Sequence, residues 1–484
     1  MKNISKKIVA GLCSAALAAG MMSMVSFAEP EAAAMKSYEA TSDSVKLIGR
    51  TYRYNDDSTW IINSASGVEF KCTGTSVRFN LRQSGDPTRI AVYVNGKLSK
   101  LGYIKANAKK PVIDAELEDG ENTVKLIKLS ESAQSVIAID SIEIDGDAPV
   151  PTAAKAHSVE FIGDSITCGY GADGSLRESF STKNENAAKT YAYLTAQNLD
   201  LDYSFFSRSG TGIISGYTSG ASKQENNLMP PDYGKVCFTW NWIDGVCPAD
   251  YEWDFSQYQP ELVVINLGTN DNSYTKGDPD KCAEFTEGYV AFIKQVRENN
   301  PNATILCTLG IMGQELYPQI EDAVAAYTEE TGDTKVASFM FSQQDGNTNG
   351  YGSDYHPSEQ SHIEASEELT AKISELMGWE TADVTETGMA GTDKANDLIF
   401  EDLPATDDPS SSEADPSSSE SSSETSSDES SSSSAASSSS SKASSSSSKA
   451  AASSTTSNPS TGAATGLAAI AVLCGAIVTT KRRK

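Results

Sequence analysis

Histidine is nearly absent: His157, His356 and His362 are the only three in 484 residues. Any imidazole chemistry must therefore use one of them. Among eight cysteines no C-x-x-C pair occurs, which argues against a structural zinc site. His356 and His362 do not make a recognisable ligand pair either, so no metal and no organic cofactor is expected. Cations are also scarce, with 38 Lys and Arg against 66 Asp and Glu and a net charge of −28. That balance disfavours nucleic acid as a partner and suits an uncharged polymer better than a polyanion.

Residues 401–457 lack apolar side chains almost entirely. Ten acidic residues stand there against Lys442 and Lys449 in a Ser/Ala background. Such a stretch cannot bury enough surface to offset chain entropy and reads as a solvated, disordered linker. The long apolar runs lie at the two ends. Residues 1–28 combine Lys2, Lys6 and Lys7, an apolar run and Ser26-Phe27-Ala28, the pattern of a signal peptide cut after Ala28. Residues 463–480 are apolar and are followed by Lys481-Arg482-Arg483-Lys484. With Asn458-Pro459-Ser460-Thr461-Gly462 ahead of it, the 458–484 segment resembles a Gram-positive sorting signal. That resemblance implies a sortase as partner and attachment of Thr461 to the cell wall; a plain C-terminal membrane anchor is the alternative. Either reading puts the protein outside the cell, tethered through its C-terminus. Removing both ends leaves six cysteines. Cys237 and Cys247 are close enough in sequence to pair in an oxidising compartment, with scattered single thiols the preferred alternative.

Between the ends two patterns follow one another. Over 40–147, short period-2 stretches such as "SVRFNLRQ" (76–83), "IAVYVNGK" (90–97) and "TVKLIKL" (123–129) alternate with Gly, Asp and Asn turns. No helical period intervenes, so this region is predicted to be a β-sandwich. Over 157–380 strands alternate with helices: strand 158–163, helix 187–199, strand 201–207 and strand 261–268, then helix 281–298, strand 303–309, helix 316–330, strand 335–341 and helix 358–377. That alternation predicts an α/β domain of three layers around a parallel sheet, with ligands beyond the carboxyl ends of the strands.

"FIGDSITCGYG" (161–171) begins at such an end and carries Ser165. A serine hydroxyl needs a base within reach. His157 precedes the first strand and lies at the wrong end of the sheet. His362 falls within the last helix and reads as a surface or packing residue. His356, in "GSDYHPS" (352–358), follows the last strand on the same edge as Ser165 and is the candidate base. "SRSGTG" (207–212) and "LGTND" (267–271) end two more strands there, offering the Gly210 N–H and the Asn270 amide to a developing oxyanion.

Gly163-Asp164-Ser165, Gly210, Gly268-Thr269-Asn270-Asp271 and His356-Pro357 resemble the four sequence blocks of the SGNH/GDSL hydrolases. The resemblance implies Ser165 as nucleophile, His356 as general base, and an oxyanion hole of the Ser165 N–H, the Gly210 N–H and the Asn270 side chain. Gly212 is the fallback for Gly210. With "LIGRTYRY", "GVEFKCTGTSVRF" and "ENTVKLIKLSES" ahead of the GDSIT block, the chain resembles carbohydrate esterase family 2. That family joins an N-terminal jelly roll to an SGNH domain and removes acetyl groups from plant polysaccharides of the xylan or mannan type. Many SGNH enzymes place an aspartate three residues before the histidine; here that position is Ser353, and the acid is Asp354. Either Asp354 orients His356, or a backbone carbonyl does and the site is a Ser-His dyad.

Trp240 and Trp242 lie between the second and third blocks and are candidate sugar platforms; Trp253 reads as core. The leading expectation is a surface-tethered polysaccharide O-deacetylase. A lipid or aryl esterase on the same fold and a carbohydrate-binding adhesin with a vestigial site are the alternatives.

Overall fold

The computed structural model describes residues 34–55 and 58–403. The segments read as signal peptide and sorting signal, and nearly all of the linker, lie outside the described residues.

Two sheets face each other in the N-terminal region. In the first, the strand order is Thr51–Tyr54, Ser58–Ile61, Ser135–Ile144, Ser76–Gly85, Val112–Glu116, with Lys36–Tyr38 beside Ser135–Ile144. In the second it is Val150–Pro151, Gly67–Cys72, Asn122–Lys128, Thr88–Val94, Lys97–Ile104, Leu398–Phe400, with Lys46–Ile48 on Gly67–Cys72. The period-2 pattern turns Val77, Phe79 and Leu81 inward to meet Phe70, Val92 and Leu126 of the opposite sheet. Asn95-Gly96 closes the Thr88–Ile104 hairpin with φ of 53° and 74°, the sign a two-residue turn requires.

The C-terminal region is a five-stranded sheet, all parallel. Its strands are β1 (His157–Gly163), β2 (Leu201–Ser207), β3 (Leu262–Asn266), β4 (Thr304–Leu309) and β5 (Val336–Met340), in the order 2-1-3-4-5. Helices α1 (Ser165–Cys168), α2 (Tyr191–Asn198), α3 (Thr269–Thr275), α4 (Pro279–Asn299), α5 (Tyr317–Thr331) and α6 (Glu359–Met377) alternate with them. Val159, Phe161 and Val264 pack with Tyr191, Ala196, Leu369 and Ile373 on one face; Ile162, Val263 and Ile265 pack with Phe285, Phe292 and Ile320 on the other. The predicted helix 187–199 is split. Thr190 caps α2 by accepting from Tyr193 N–H, and Ala187–Lys189 is a separate single turn. The order reverses at β1, flanked by β2 and β3, and it is beyond the carboxyl ends at such a reversal that sheets of this kind bind ligands.

The two regions share one core. Ile48, Tyr93, Ile127 and Leu129 of the sandwich join Val159, Phe161 and Tyr191 in a single apolar cluster. Arg50 is fully buried in the seam, donating to Glu160 at 3.0 Å and to the carbonyls of Tyr233 and Lys235. Residues 379–403 carried no predicted element, yet they run back from α6 across both regions. This return ends as Leu398–Phe400, parallel to Lys97–Ile104.

Candidate active site

Four chain segments meet beyond the carboxyl end of β1. β1 ends at Gly163, where a Cβ would stand 2.1 Å from the Thr167 hydroxyl, so the turn into α1 requires glycine. Asp164 caps that turn by accepting from Ile166 N–H at 3.0 Å. Ser165 thereby becomes the first residue of α1 and is 8% exposed. His356 arrives from the loop before α6, and its Nε2 lies 2.8 Å from Ser165 Oγ.

The other ring nitrogen decides between the two orientations that the sequence left open. His356 Nδ1 is 3.1 Å from the Ser353 carbonyl oxygen, which makes Nδ1 the protonated nitrogen and leaves Nε2 as acceptor. Asp354 does not hold the imidazole: its carboxylate accepts from the Tyr170 hydroxyl at 2.6 Å. Asp354 and Tyr355 adopt φ of 50° and 66°, and this left-handed step swings the acid outward while the 353 carbonyl faces the ring. Tyr170 in turn stacks on His356, centroids 3.9 Å apart. The loop is pinned from below. Ser353 N–H donates to the Gly171 carbonyl at 3.2 Å, and the Ser353 hydroxyl accepts from Asn184 Nδ2 at 3.2 Å.

Burial pushes the His356 imidazole down to about 4, with the Ser353 carbonyl acting in the opposite direction. The ring is thus neutral at physiological pH and competent as a base.

The ends of β2 and β3 supply donors. Among the described residues neither the Ser165 N–H nor the Gly210 N–H has an acceptor. Gly212 N–H donates to the Asn227 carbonyl at 3.3 Å, so the fallback position is already occupied. Asn270 Nδ2 donates to the Thr211 carbonyl at 2.9 Å and to Asp164 Oδ2 at 3.2 Å. Asp271 accepts from Ile213, Ile214 and Ser215 N–H and so folds the segment after Gly210. Burial raises Asp164 to about 7 and Asp271 to about 6, each opposed by the backbone donors it accepts.

The remaining histidines are elsewhere. His157 stacks on Trp379 and pairs with Glu261, and His362 is fully buried, accepting Tyr191 N–H at Nδ1. All six described cysteines are free, Cys237 and Cys247 included.

Trp240 and Trp242 are 63% and 55% exposed, while Trp253 is buried. Trp240 packs edge-on to Phe238, whose ring lies under the Arg208 guanidinium at 3.3 Å, two residues before Gly210. Two further exposed aromatics escaped the sequence reading. Tyr355, 62% exposed, directly precedes His356, and Tyr217, also 62% exposed, donates its N–H to the Gly210 carbonyl at 2.9 Å. Adjacency to the histidine block was the available signal for Tyr355; Tyr217 had none.

Comparisons with known proteins agree with this construction. Residues 161–362 match the GDSL-like Lipase/Acylhydrolase family, and residues 47–153 match the Carbohydrate esterase 2 N-terminal family. A family two carbohydrate esterase from Clostridium thermocellum, solved with cellohexaose, is 31% identical, with a TM-score of 0.61 over 69% of this chain and 99% of that one. The chain belongs to carbohydrate esterase family 2. Cellulase/esterase CelE of Acetivibrio thermocellus is 34% identical over 325 residues, 65% of this chain. This family 2 chain spans 37% of the length of that relative. An acetylxylan esterase / glucomannan deacetylase of Cellvibrio japonicus is 26% identical over 70% of this chain and 91% of its own.

Proposed function

We propose that this family 2 chain is a serine esterase that removes O-acetyl groups from plant polysaccharides of the xylan or mannan type. The observation that carries the reading is the 2.8 Å contact from His356 Nε2 to Ser165 Oγ, beside two backbone N–H groups without acceptors. Names of its relatives support the substrate class, since one is an acetylxylan esterase / glucomannan deacetylase.

In the proposed reaction His356 Nε2 takes the Ser165 hydroxyl proton as Oγ bonds to the acetyl carbonyl carbon. The carbonyl electrons move onto oxygen, which accepts from the Ser165 N–H, the Gly210 N–H and Asn270 Nδ2. Asn270 releases its longer bond, to Asp164, to do so. As the carbon–oxygen bond to the sugar breaks, His356 returns the proton to the departing hydroxyl. Water then adds to the acetyl-enzyme, giving up its proton to His356, and acetate leaves as Oγ regains that proton. The Ser353 carbonyl holds the imidazolium through Nδ1–H in both halves. Tyr217, Tyr355, Trp240 and Trp242 present exposed faces suited to the apolar faces of sugar rings.

Patterns at 1–28 and 458–484 support export followed by attachment to the cell wall or membrane, with the linker as spacer. Among the described residues no helix is long and apolar enough to cross a membrane.

The test is acetate release from acetylated xylan and acetylated glucomannan by the full chain beside its Ser165→Ala variant. Release by the native chain alone is expected. No release from either glycan, with glycan binding retained, would favour a binding role and overturn the reading.

A further inference from the structure

We infer that Glu131, a sandwich residue, is a positioning residue for the oxyanion hole of the esterase site; this rests on the reaction proposed above. Glu131 lies in the 129–134 loop, between the Asn122–Lys128 and Ser135–Ile144 strands, and is fully buried. Its Oε2 accepts the Ser209 N–H at 2.7 Å, a short bond to the residue immediately before Gly210. The same oxygen lies 3.4 Å from Cys168 Sγ, whose single thiol proton is shared with Ser207 Oγ at 3.2 Å; Cys168 is the last residue of α1, whose first residue is Ser165. One carboxylate oxygen thus ties together the two segments that present the unpartnered N–H groups.

The backbone that carries this side chain is itself held. Glu131 N–H donates to Glu185 Oε2 at 3.1 Å, and Lys128 Nζ donates to the Ser130 and Glu131 carbonyls at 2.5 and 2.8 Å. Gln134 Nε2 approaches the other oxygen, Oε1, at 3.4 Å. On the far side of the peptide that contains the Gly210 N–H, the Ser209 carbonyl accepts from Asn227 Nδ2 at 3.3 Å. Glu131 and Asn227 therefore grip Ser209 at its N–H and at its C=O. Because the 209–210 peptide is planar and trans, holding the Ser209 carbonyl also fixes the direction of the Gly210 N–H opposite it. A donor displaced by a fraction of an ångström loses much of its value to an oxyanion, because the stabilisation depends on preorganised geometry.

Reach and charge can be separated at this position. Glu131→Gln keeps an acceptor oxygen at the same length, with Gln134 able to turn its amide to receive the new N–H₂. Glu131→Asp keeps the charge but withdraws the oxygen by one methylene. The probe is a small aryl acetate, so the outcome does not depend on any glycan. If Glu131 aims the donor, Glu131→Asp lowers kcat about 10-fold or more with KM little changed. Glu131→Gln stays within about 3-fold of the native chain, and both keep the native pH profile. Folding is followed by thermal unfolding of the same samples; a purely structural role lowers Tm without separating kcat from KM. A folded Glu131→Asp with native kcat overturns the positioning role, as does a Glu131→Gln as impaired as Glu131→Asp. A native chain inert toward the aryl acetate overturns the esterase reading and this one together.

Discussion

Ser353 holds His356 through its backbone, the carbonyl oxygen standing 3.1 Å from Nδ1, while the neighbouring Asp354 carboxylate is committed to Tyr170. A carbonyl is a permanent acceptor whose position follows from the loop rather than from a side chain. The site should therefore tolerate loss of the acid. We expect Asp354→Asn to lower kcat/KM less than about 10-fold, whereas Ser165→Ala or His356→Ala removes turnover by about 10³-fold or more. Steady-state kinetics on one soluble acetate ester check all three. A collapse in Asp354→Asn equal to that of His356→Ala would show that the acid, not the carbonyl, orients the ring.

The pH dependence follows from burial. With His356 pushed down to about 4, the proton that disables the base binds only in acid. We expect kcat/KM to fall on the acid side well below the pH 6.5 of an unperturbed imidazole. Stability responds with mixed sign. For His356 and for His362, which burial lowers to about 3, the unfolded chain binds more protons below 6.5, so stability is lost as pH drops through that window. Asp164 and Asp271, raised to about 7 and 6, bind more protons folded than unfolded above about 4, so their share is lost as pH rises. The two effects oppose each other between about 4 and 6, and activity should titrate more steeply than Tm there. Parallel pH profiles of the two quantities test this.

Much of this site is legible in the sequence because each donor sits at the end of a strand. Ser165, Gly210 and Asn270 all follow apolar runs, and a parallel sheet delivers the ends of neighbouring strands to one edge. His356 could be found because only three histidines exist. What could not be read lies across long sequence separations. The Ser209–Glu131 bond joins residues 78 apart, and the Lys394–Asn184 bond joins residues 210 apart; neither leaves any local pattern. The outward turn of Asp354 was hidden for another reason: two consecutive non-glycine residues with positive φ run against ordinary preference, and propensity cannot anticipate them.

Substituting the exposed aromatics tests whether polymer recognition can be separated from chemistry. Tyr355 and Tyr217 flank the histidine and the Gly210 donor, and Trp240 is linked to the same edge through Phe238 and Arg208. Each stacked ring is worth about 1–2 kcal/mol. Tyr217→Ala, Tyr355→Ala and Trp240→Ala should each raise KM for acetylated polysaccharide by about 5- to 30-fold, with kcat on a small acetate ester nearly unchanged. Equal losses on both substrates would place these rings in the support of the catalytic loops instead.

Residues 379–403 bond to both regions, and one buried contact shows how. Arg89 of the sandwich is fully buried, with Nε and Nη2 donating to the two carboxylate oxygens of Asp397 at 2.7 and 3.0 Å and Nη1 donating to Asp173. Asp173 is also held by Lys189 and by Asn186, beside the loop that supports Ser353. Further along the return, Lys394 donates to Asn184, the same side chain that donates to the Ser353 hydroxyl. Removing the Asp397 charge leaves half of a buried guanidinium without its partner, a change that costs about 3–5 kcal/mol. We therefore expect Asp397→Ala to lower the denaturation midpoint of sandwich and α/β regions together, in one transition. Differential scanning calorimetry beside chemical unfolding followed by far-ultraviolet circular dichroism checks this, since both the strands of the sandwich and the helices of the other region contribute to the signal. An unchanged midpoint would show that the return is a passive tail.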